Sequence, residues 1–307
     1  MKIAFIGGVQ FSHELLLHIL NLGWEVSVVF SYADSKKKYY SDFASFDKIT
    51  EKFNIFHVKV DKINDEKNIE ILEKINPDLI LVMGWSQLLS LKIIQIPKLG
   101  VIGSHPTELP KYRGRAPIPW SIIKGLEESA LTFFYIQEGV DDGDILDQSK
   151  FDISENDDAS SIYQKMTKLG KQMLESNLPL IATGNQNQTI QDSSMYIESW
   201  PKRIPDDGKI DWSKSAKEIH TLIRATTKPY PGAFTFLKNE KLIIWSASYS
   251  NERSLGIGII MEITLSTLKI GTNKGCLIIN KDDFEGISDN NMKKIFSNIE
   301  IGDTFDN

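Results

Sequence analysis

The sequence predicts an α/β protein: a doubly wound, mostly parallel sheet in the first part of the chain, then a smaller, mainly-β C-terminal domain. Three observations carry this. Short β-rich runs alternate with helical patterns through the first half. One run, Leu79–Met83, is continuously apolar, as strands covered on both faces are. Beyond Ser194 the apolar runs are short, closely spaced and parted by turn residues, which suggests a compact sheet or barrel-like module.

Taken in order, Lys2–Ile6 is a strand ending at Gly7-Gly8. Phe11, Leu15, Leu16, Ile19 and Leu20 then fall on one face of a helix. Trp24–Phe30 and Ile55–Val60 are strands, Ile69–Ile75 a helix, and Pro77-Asp78 leads into Leu79–Met83. Gln87–Ile94 is read as a helix and Val101–Gly103 as a short buried strand. Leu131–Ile136 and Ile145–Ile153 are strands joined by an acidic, glycine-bearing loop. A long helix carries Ile162, Met166, Leu169, Met173 and Leu178, with Ser154, Asp157 or Asp158 as its cap. Gly184–Ser194 is polar and aperiodic, so the domain boundary is placed there: residues 1–190 form the catalytic domain, and 191–307 a linker, a helix and a small β domain. In that last part Lys214–Ala225 is a helix. Phe234–Leu237, Leu242–Ser248, Gly258–Ile263, Leu268–Ile270 and Leu277–Ile279 are strands.

Composition narrows the function classes. The 307 residues suit about two domains at roughly 150 each. With 41% apolar residues, the chain has enough surface to bury for folding to offset its entropy cost. Against 35 basic residues stand 41 acidic ones, a net charge of −6, which argues against a surface built to grip a phosphate backbone. Cys276 is the only cysteine, so neither an internal disulfide nor a cysteine-rich metal site is available. His13 and His18 are not at the spacing of a helical metal pair, and no metal is expected. The opening segment lacks a signal-peptide core, and no apolar run reaches the ~18 residues of a membrane span. A cytoplasmic location with no membrane partner is expected.

Gly7-Gly8 after the first strand is reminiscent of a dinucleotide loop. The third glycine and the acidic ribose ligand are missing, so a tight turn is the better reading. The chemistry points elsewhere. Ser104–Trp120 reads SHPTELPKYRGRAPIPW and follows a buried strand, so His105 belongs at that strand's carboxyl end. Lys111, Arg113 and Arg115 in the same loop are cations that suit an anionic substrate such as a diphosphate. Gly139–Asp144 (GVDDGD) supplies carboxylates. A histidine made more basic by a carboxylate is a standard acid–base pair. Each piece alone has a plainer meaning: a structural histidine, solvated cations, an ordinary turn.

Together, HPTELPKYRGRAPIPW and VDDGDIL resemble the N10-formyltetrahydrofolate-dependent formyltransferase family. The family histidine is His105, its turn Thr107-Glu108-Leu109-Pro110, its Arg-Gly pair Arg113-Gly114, and its acidic turn Asp141-Asp142-Gly143-Asp144. PDDGKIDW at Pro205–Trp212 and PYPGAF at Pro229–Phe234 extend the resemblance over most of the chain. The KYRGRAP segment is similar to the branch that formylates UDP-4-amino-arabinose.

The resemblance implies a Rossmann-like catalytic domain and a cosubstrate, N10-formyltetrahydrofolate, whose formyl carbon is attacked by a substrate amine. His105 would move protons, and Asp141 would raise its pKa and orient it. Gln87, Leu88 and Leu89, with Gln137, Glu138, Gly139, Val140 and Asp141, match segments that bind folate largely through backbone groups. Arg115 matches a contact to the nucleotide sugar. One position departs from the family: Gly103 stands where an asparagine would stabilise the oxyanion. A backbone N–H near Gly103 or His105 is the preferred replacement. The Ser104 hydroxyl, or a slower or hydrolytic reaction, are the other readings.

The acidic balance and KYRGRAP favour the amine of a nucleotide-linked amino sugar, in lipopolysaccharide or O-antigen synthesis, over methionyl-tRNA. A non-catalytic folate binder is the reading from another class. Homodimers are common among the sugar enzymes it resembles.

Overall fold

Ile3–Ile6 forms β1, and Gln10–Asn21 forms α1, which buries Phe11, Leu15, Leu16 and Ile19 on one face. The Ser12 hydroxyl accepts the Gly8 and Val9 N–H groups at 3.0 and 2.9 Å, satisfying donors that a helix start leaves open. Next come β2 (Val26–Tyr32), α2 (Asp47–Lys52), β3 (Phe56–Val60) and α3 (Glu66–Ile75). α3 stops at Asn76, left-handed at φ 47°, because Pro77 cannot continue a helix. β4 (Leu79–Val82), α4 (Leu91–Ile94), β5 (Val101–His105), β6 (Tyr112–Gly114) and α5 (Pro117–Ile123) follow. β7 (Glu128–Tyr135), β8 (Ile145–Asp152), α6 (Ala159–Thr183) and β9 (Glu198–Trp200) come next. α6 is capped by Asp158, whose carboxylate accepts the Ser161 N–H at 2.8 Å.

The main sheet runs β3-β2-β1-β4-β5-β7-β8. Its pairs from β3 to β5 are parallel, and β7 and β8 add antiparallel strands. β1 and β4 are buried throughout, as continuous apolar runs require. This is the doubly wound α/β architecture that the sequence implied.

The computed structural model describes residues 1–286 and 295–306. They divide into two compact units. The first comprises Met1–Pro117, Glu127–Ile153 and Ile162–Pro201; the second comprises Ile118–Leu126, Ser154–Ser161 and Lys202–Asn307. The polar stretch at Gly184–Ser194, taken from sequence as the boundary, lies inside the first unit. Thr189 exchanges two backbone bonds of 2.8 Å with Ile145, and β9 pairs with β6, so the segment is held to that unit.

In the second unit, α7 (Ala216–Thr226) starts with a capping box between Ser215 and Glu218. β10 (Ala233–Leu237), β11 (Glu240–Ile244), β12 (Ser248–Ser250), β13 (Ile260–Ile263), β14 (Thr267–Gly271), β15 (Cys276–Asn280) and β16 (Phe284–Glu285) form two sheets, β10-β11-β16 and β12-β15-β14-β13. Leu242–Ser248, read as one strand, is therefore split between two sheets. Trp212, fully buried in this core, donates its Nε1–H to Thr235 at 2.9 Å. No described helix is long and apolar enough to cross a membrane.

One helix is shorter than the sequence suggested. Of Gln87–Ile94 only Leu91–Ile94 is helical. Polar side chains hold the remainder as a loop. Gln87 accepts the Ile63 N–H at 3.0 Å and donates to the Asp61 carbonyl at 2.9 Å. Asn64 accepts the Ser90 N–H and donates to the Leu88 carbonyl.

Candidate active site

His105 ends β5, opposite Thr132 of β7. It is 6% exposed. Its Nδ1 lies 3.7 Å from Asp141 Oδ2, and its Nε2 is buried with no protein partner. At that distance Asp141 acts through its charge rather than through a full hydrogen bond. Burial drives the imidazole below its ordinary pKa of 6.5. The Asp141 charge and the Tyr112 carbonyl oppose this, while the Arg113 charge reinforces it. The ring is therefore neutral at pH 7. With the proton on Nδ1, the tautomer favoured by a carboxylate on that side, the Nε2 lone pair is left as a base.

Asp141 sits in a tight turn between β7 and β8, at φ 53°, where a side chain is uncommon. The turn is closed by close backbone approach: a Cβ on Gly143 would lie 1.8 Å from the Tyr135 carbonyl oxygen. Asp141 Oδ2 also accepts the Gly114 N–H at 3.1 Å, tying the acidic turn to the loop after His105. This turn follows β7, the antiparallel neighbour of β5, and brings Asp141 to His105.

The loop from His105 to Arg115 rests on buried hydroxyls. Thr132 Oγ1 donates to the Thr107 carbonyl at 2.6 Å, and Gln148 reaches both Thr132 and the Leu109 carbonyl. Thr107 in turn donates to the Tyr112 carbonyl, and Tyr112 stacks on Trp200 at 4.7 Å. The three cations of the loop differ. Lys111 is neutralised by Glu108 at 2.8 Å, which Lys150 also meets at 3.2 Å. Burial pushes the Glu108 carboxyl up, but the two lysines together hold it below its ordinary value. Arg113 donates from Nη2 to Gln191 at 2.8 Å and lies 5.8 Å from the Tyr196 ring centre, and its Nε is buried and unpartnered. Arg115 is exposed, with its backbone N–H on the Trp200 carbonyl.

Gly103 is paired with Phe134 across β5 and β7. The bond from the Ile136 N–H to the Val101 carbonyl fixes the phase of this ladder and makes Gly103–Phe134 a hydrogen-bonded pair. The same phase applies two residues on, at His105–Thr132. The N–H groups of Gly103 and His105 are thus spent on the sheet, which corrects the expectation that one of them replaces the family asparagine. Ser104 faces the other way and accepts the Gly84 N–H at 3.4 Å. A Cβ at Gly103 would meet Ile136 at 2.9 Å and the Phe134 ring at 3.2 Å, so these side chains fill the space where a larger residue would start.

The two segments expected to bind folate are loops. Leu88 is 66% exposed while Leu89 packs on the core, and the Gln87 amide is committed to the Asp61–Ile63 turn, leaving only its backbone for a ligand. Gln137, Glu138, Gly139 and Val140 are exposed. Gly7-Gly8 is closed: a Cβ on Gly8 would lie 2.1 Å from the Tyr32 ring, which is sandwiched between Tyr40 and Trp85 at 4.2 and 3.9 Å. Among the described residues no three His, Cys, Asp or Glu side chains group as metal ligands. Sequence reasoning missed Asn64 and Gln191, since both stand in polar stretches with no periodicity or motif to single them out.

Comparison with known proteins identifies the family. Residues 1–178 match the formyl transferase family model and residues 203–298 the formyl transferase C-terminal domain. The chain is 34% identical to the bifunctional polymyxin resistance protein ArnA of Wigglesworthia glossinidia brevipalpis, over 96% of this chain and 46% of that one, so it spans under half of that relative's length. It is 32% identical to the methionyl-tRNA formyltransferase of Clostridioides difficile, over 91% of each chain. Its fold resembles that of an N-formyltransferase from Helicobacter canadensis, solved with folinic acid and dTDP-3-aminofucose, with a TM-score of 0.66, 21% identity, and coverage of 91% of this chain and 98% of that one. The chain belongs to the formyl transferase family, enzymes that take their formyl group from formyltetrahydrofolate.

Proposed function

We propose that the protein transfers the formyl group of N10-formyltetrahydrofolate to the amine of a nucleotide-linked amino sugar. The observation that carries the choice of acceptor is a pair of arginines in the loop after His105. Arg113 and Arg115 have no acidic partner among the described residues, and a diphosphate needs only such a pair.

The substrate amine attacks the formyl carbon, and a new C–N bond forms as the carbonyl oxygen takes the charge. His105 Nε2 accepts the amine proton and returns it to N10 as the C–N10 bond breaks, releasing tetrahydrofolate. Asp141 stabilises the imidazolium that exists between those two events. Folate lies on the backbone of Gln87–Leu89 and Gln137–Asp141.

A second reading, transfer to methionyl-tRNA, is favoured by the Clostridioides difficile relative, which covers most of both chains. Tetrahydrofolate release separates them, measured with UDP-, dTDP- and GDP-linked amino sugars and with methionyl-tRNA. Release that requires one amino sugar supports the proposal. Release with methionyl-tRNA alone overturns it, and release with no amine identifies a hydrolase.

A further inference from the structure

We propose that Gln191 is a positioning residue of the active site: its carboxamide fixes the acidic turn and Arg113 against each other and so sets the placement of Asp141 beside His105. Gln191 is 9% exposed. Its Nε2 donates to the Asp141 carbonyl at 2.9 Å and to the Gly143 carbonyl at 2.7 Å, while its Oε1 accepts from Arg113 Nη2 at 2.8 Å. A carboxamide has two N–H donors and one carbonyl acceptor, so all its hydrogen-bonding groups are used on the two loops that build the site.

Neither loop is self-sufficient. Asp141 is held at a positive φ of 53°, a conformation uncommon outside glycine. Its carboxylate has one direct tie to the neighbouring loop, the Gly114 N–H at 3.1 Å. Gln191 supplies a second link between the loops, through the Asp141 and Gly143 backbone carbonyls rather than the carboxylate, from a segment distant in sequence. The His105–Asp141 separation of 3.7 Å makes the pair sensitive to this. The interaction is Coulombic and unsupported by a short hydrogen bond, so its strength follows wherever the turn places the carboxylate. Three groups facing His105 bear on its charge: Asp141 and the Tyr112 carbonyl, which favour the protonated ring, and Arg113, which opposes it. Gln191 touches two of the three residues, Asp141 and Arg113. Of these Asp141 has the larger influence on the ring, so loss of Gln191 weakens the support for imidazolium. The inference rests on His105 and Asp141 being the acid–base pair, and not on which amine accepts the formyl group.

The test is a double-mutant cycle of Gln191→Leu and Asp141→Asn in the full chain, with two readouts. The first is kcat/KM for tetrahydrofolate release. We expect Gln191→Leu to lower it about tenfold, mostly in kcat, in the native background and by less than about twofold in the Asp141→Asn background. The second needs no substrate: the ring-nitrogen chemical shifts of His105, assigned by their loss in His105→Gln. They should move in Gln191→Leu toward the Asp141→Asn values, and the double variant should match Asp141→Asn. Equal losses in both backgrounds, or His105 resonances unchanged in Gln191→Leu, overturn the proposal. If Gln191→Leu does not fold, Gln191→Met keeps the side-chain length and serves in its place. Absence of turnover with every amine would count against the proposed function, while the chemical-shift readout would still decide the role of Gln191.

Discussion

Two glycine-bearing turns in the first unit look alike in sequence and do opposite things. Gly7-Gly8 follows β1 and precedes a helix, the position of a nucleotide-binding loop. In the structure it is filled: Ser12 crowds Gly7, and the Tyr32 ring lies against Gly8, stacked between Tyr40 and Trp85. The turn from Gly139 to Asp144 reads as an ordinary hairpin connection. Yet its Gly143 lets the backbone come close enough to Tyr135 to place Asp141 beside His105. In both turns glycine allows a close approach. What approaches decides the use: an aromatic ring closes one turn, and a backbone carbonyl aims a carboxylate in the other.

The largest effect that would test this contrast is at His105. His105→Ala should lower kcat for tetrahydrofolate release by about 100- to 10,000-fold while the folded baseline in circular dichroism is kept. A loss under about tenfold would remove the acid–base role. Asp141→Asn comes next. Because the Asp141 charge raises the His105 pKa, its removal should move the acid limb of the kcat/KM profile to lower pH. The reaction should also slow by roughly tenfold, the equivalent of about 1.4 kcal/mol of lost support for the imidazolium. An unmoved acid limb would mean that the carboxylate only shapes the turn.

Gly8→Ala probes the other turn. The Cβ would fall 2.1 Å from the Tyr32 ring, so denaturant unfolding should show a loss of roughly 1–3 kcal/mol. Activity per folded molecule should stay at the native level, because nothing in the reaction passes through this turn. The smallest effect is the pH dependence of stability. Burial holds His13, His57, His105 and His220 below 6.5 in the folded state. Between that value and their lowered folded values the unfolded chain binds more protons. Their contribution is therefore complete above pH 6.5 and declines as the pH falls below it, which urea midpoints across that interval would record.

Much of the α/β unit was legible because apolar periodicity reports burial directly. β1 and β4 run where their residues are continuously apolar, and α3 ends where Asn76-Pro77 demands. The loop at Gln87–Ser90 was misread as helix because its apolar spacing is helical. Long-range bonds from Asn64 and to Asp61 and Ile63 override that spacing, and no local pattern encodes them. In the site, His105 and the acidic turn could be read from their motifs. The separation of Lys111 from Arg113 and Arg115 could not, since it depends on Glu108 and Lys150. Nor could the commitment of the Gly103 N–H, which depends on the phase of the β5–β7 ladder. Gln191 stood in a stretch that looked like a linker, and its bonds to Asp141, Gly143 and Arg113 appear only in three dimensions.

The measurement that bears most directly on the contrast pairs folate binding with tetrahydrofolate release in the native protein, Gly8→Ala and Asp141→Asn. All three should bind the folate. Gly8→Ala should turn over at the native rate per folded molecule, and Asp141→Asn should be slowed. Native turnover in Asp141→Asn together with a loss of turnover in folded Gly8→Ala would contradict this, and would place the chemistry at the turn after β1.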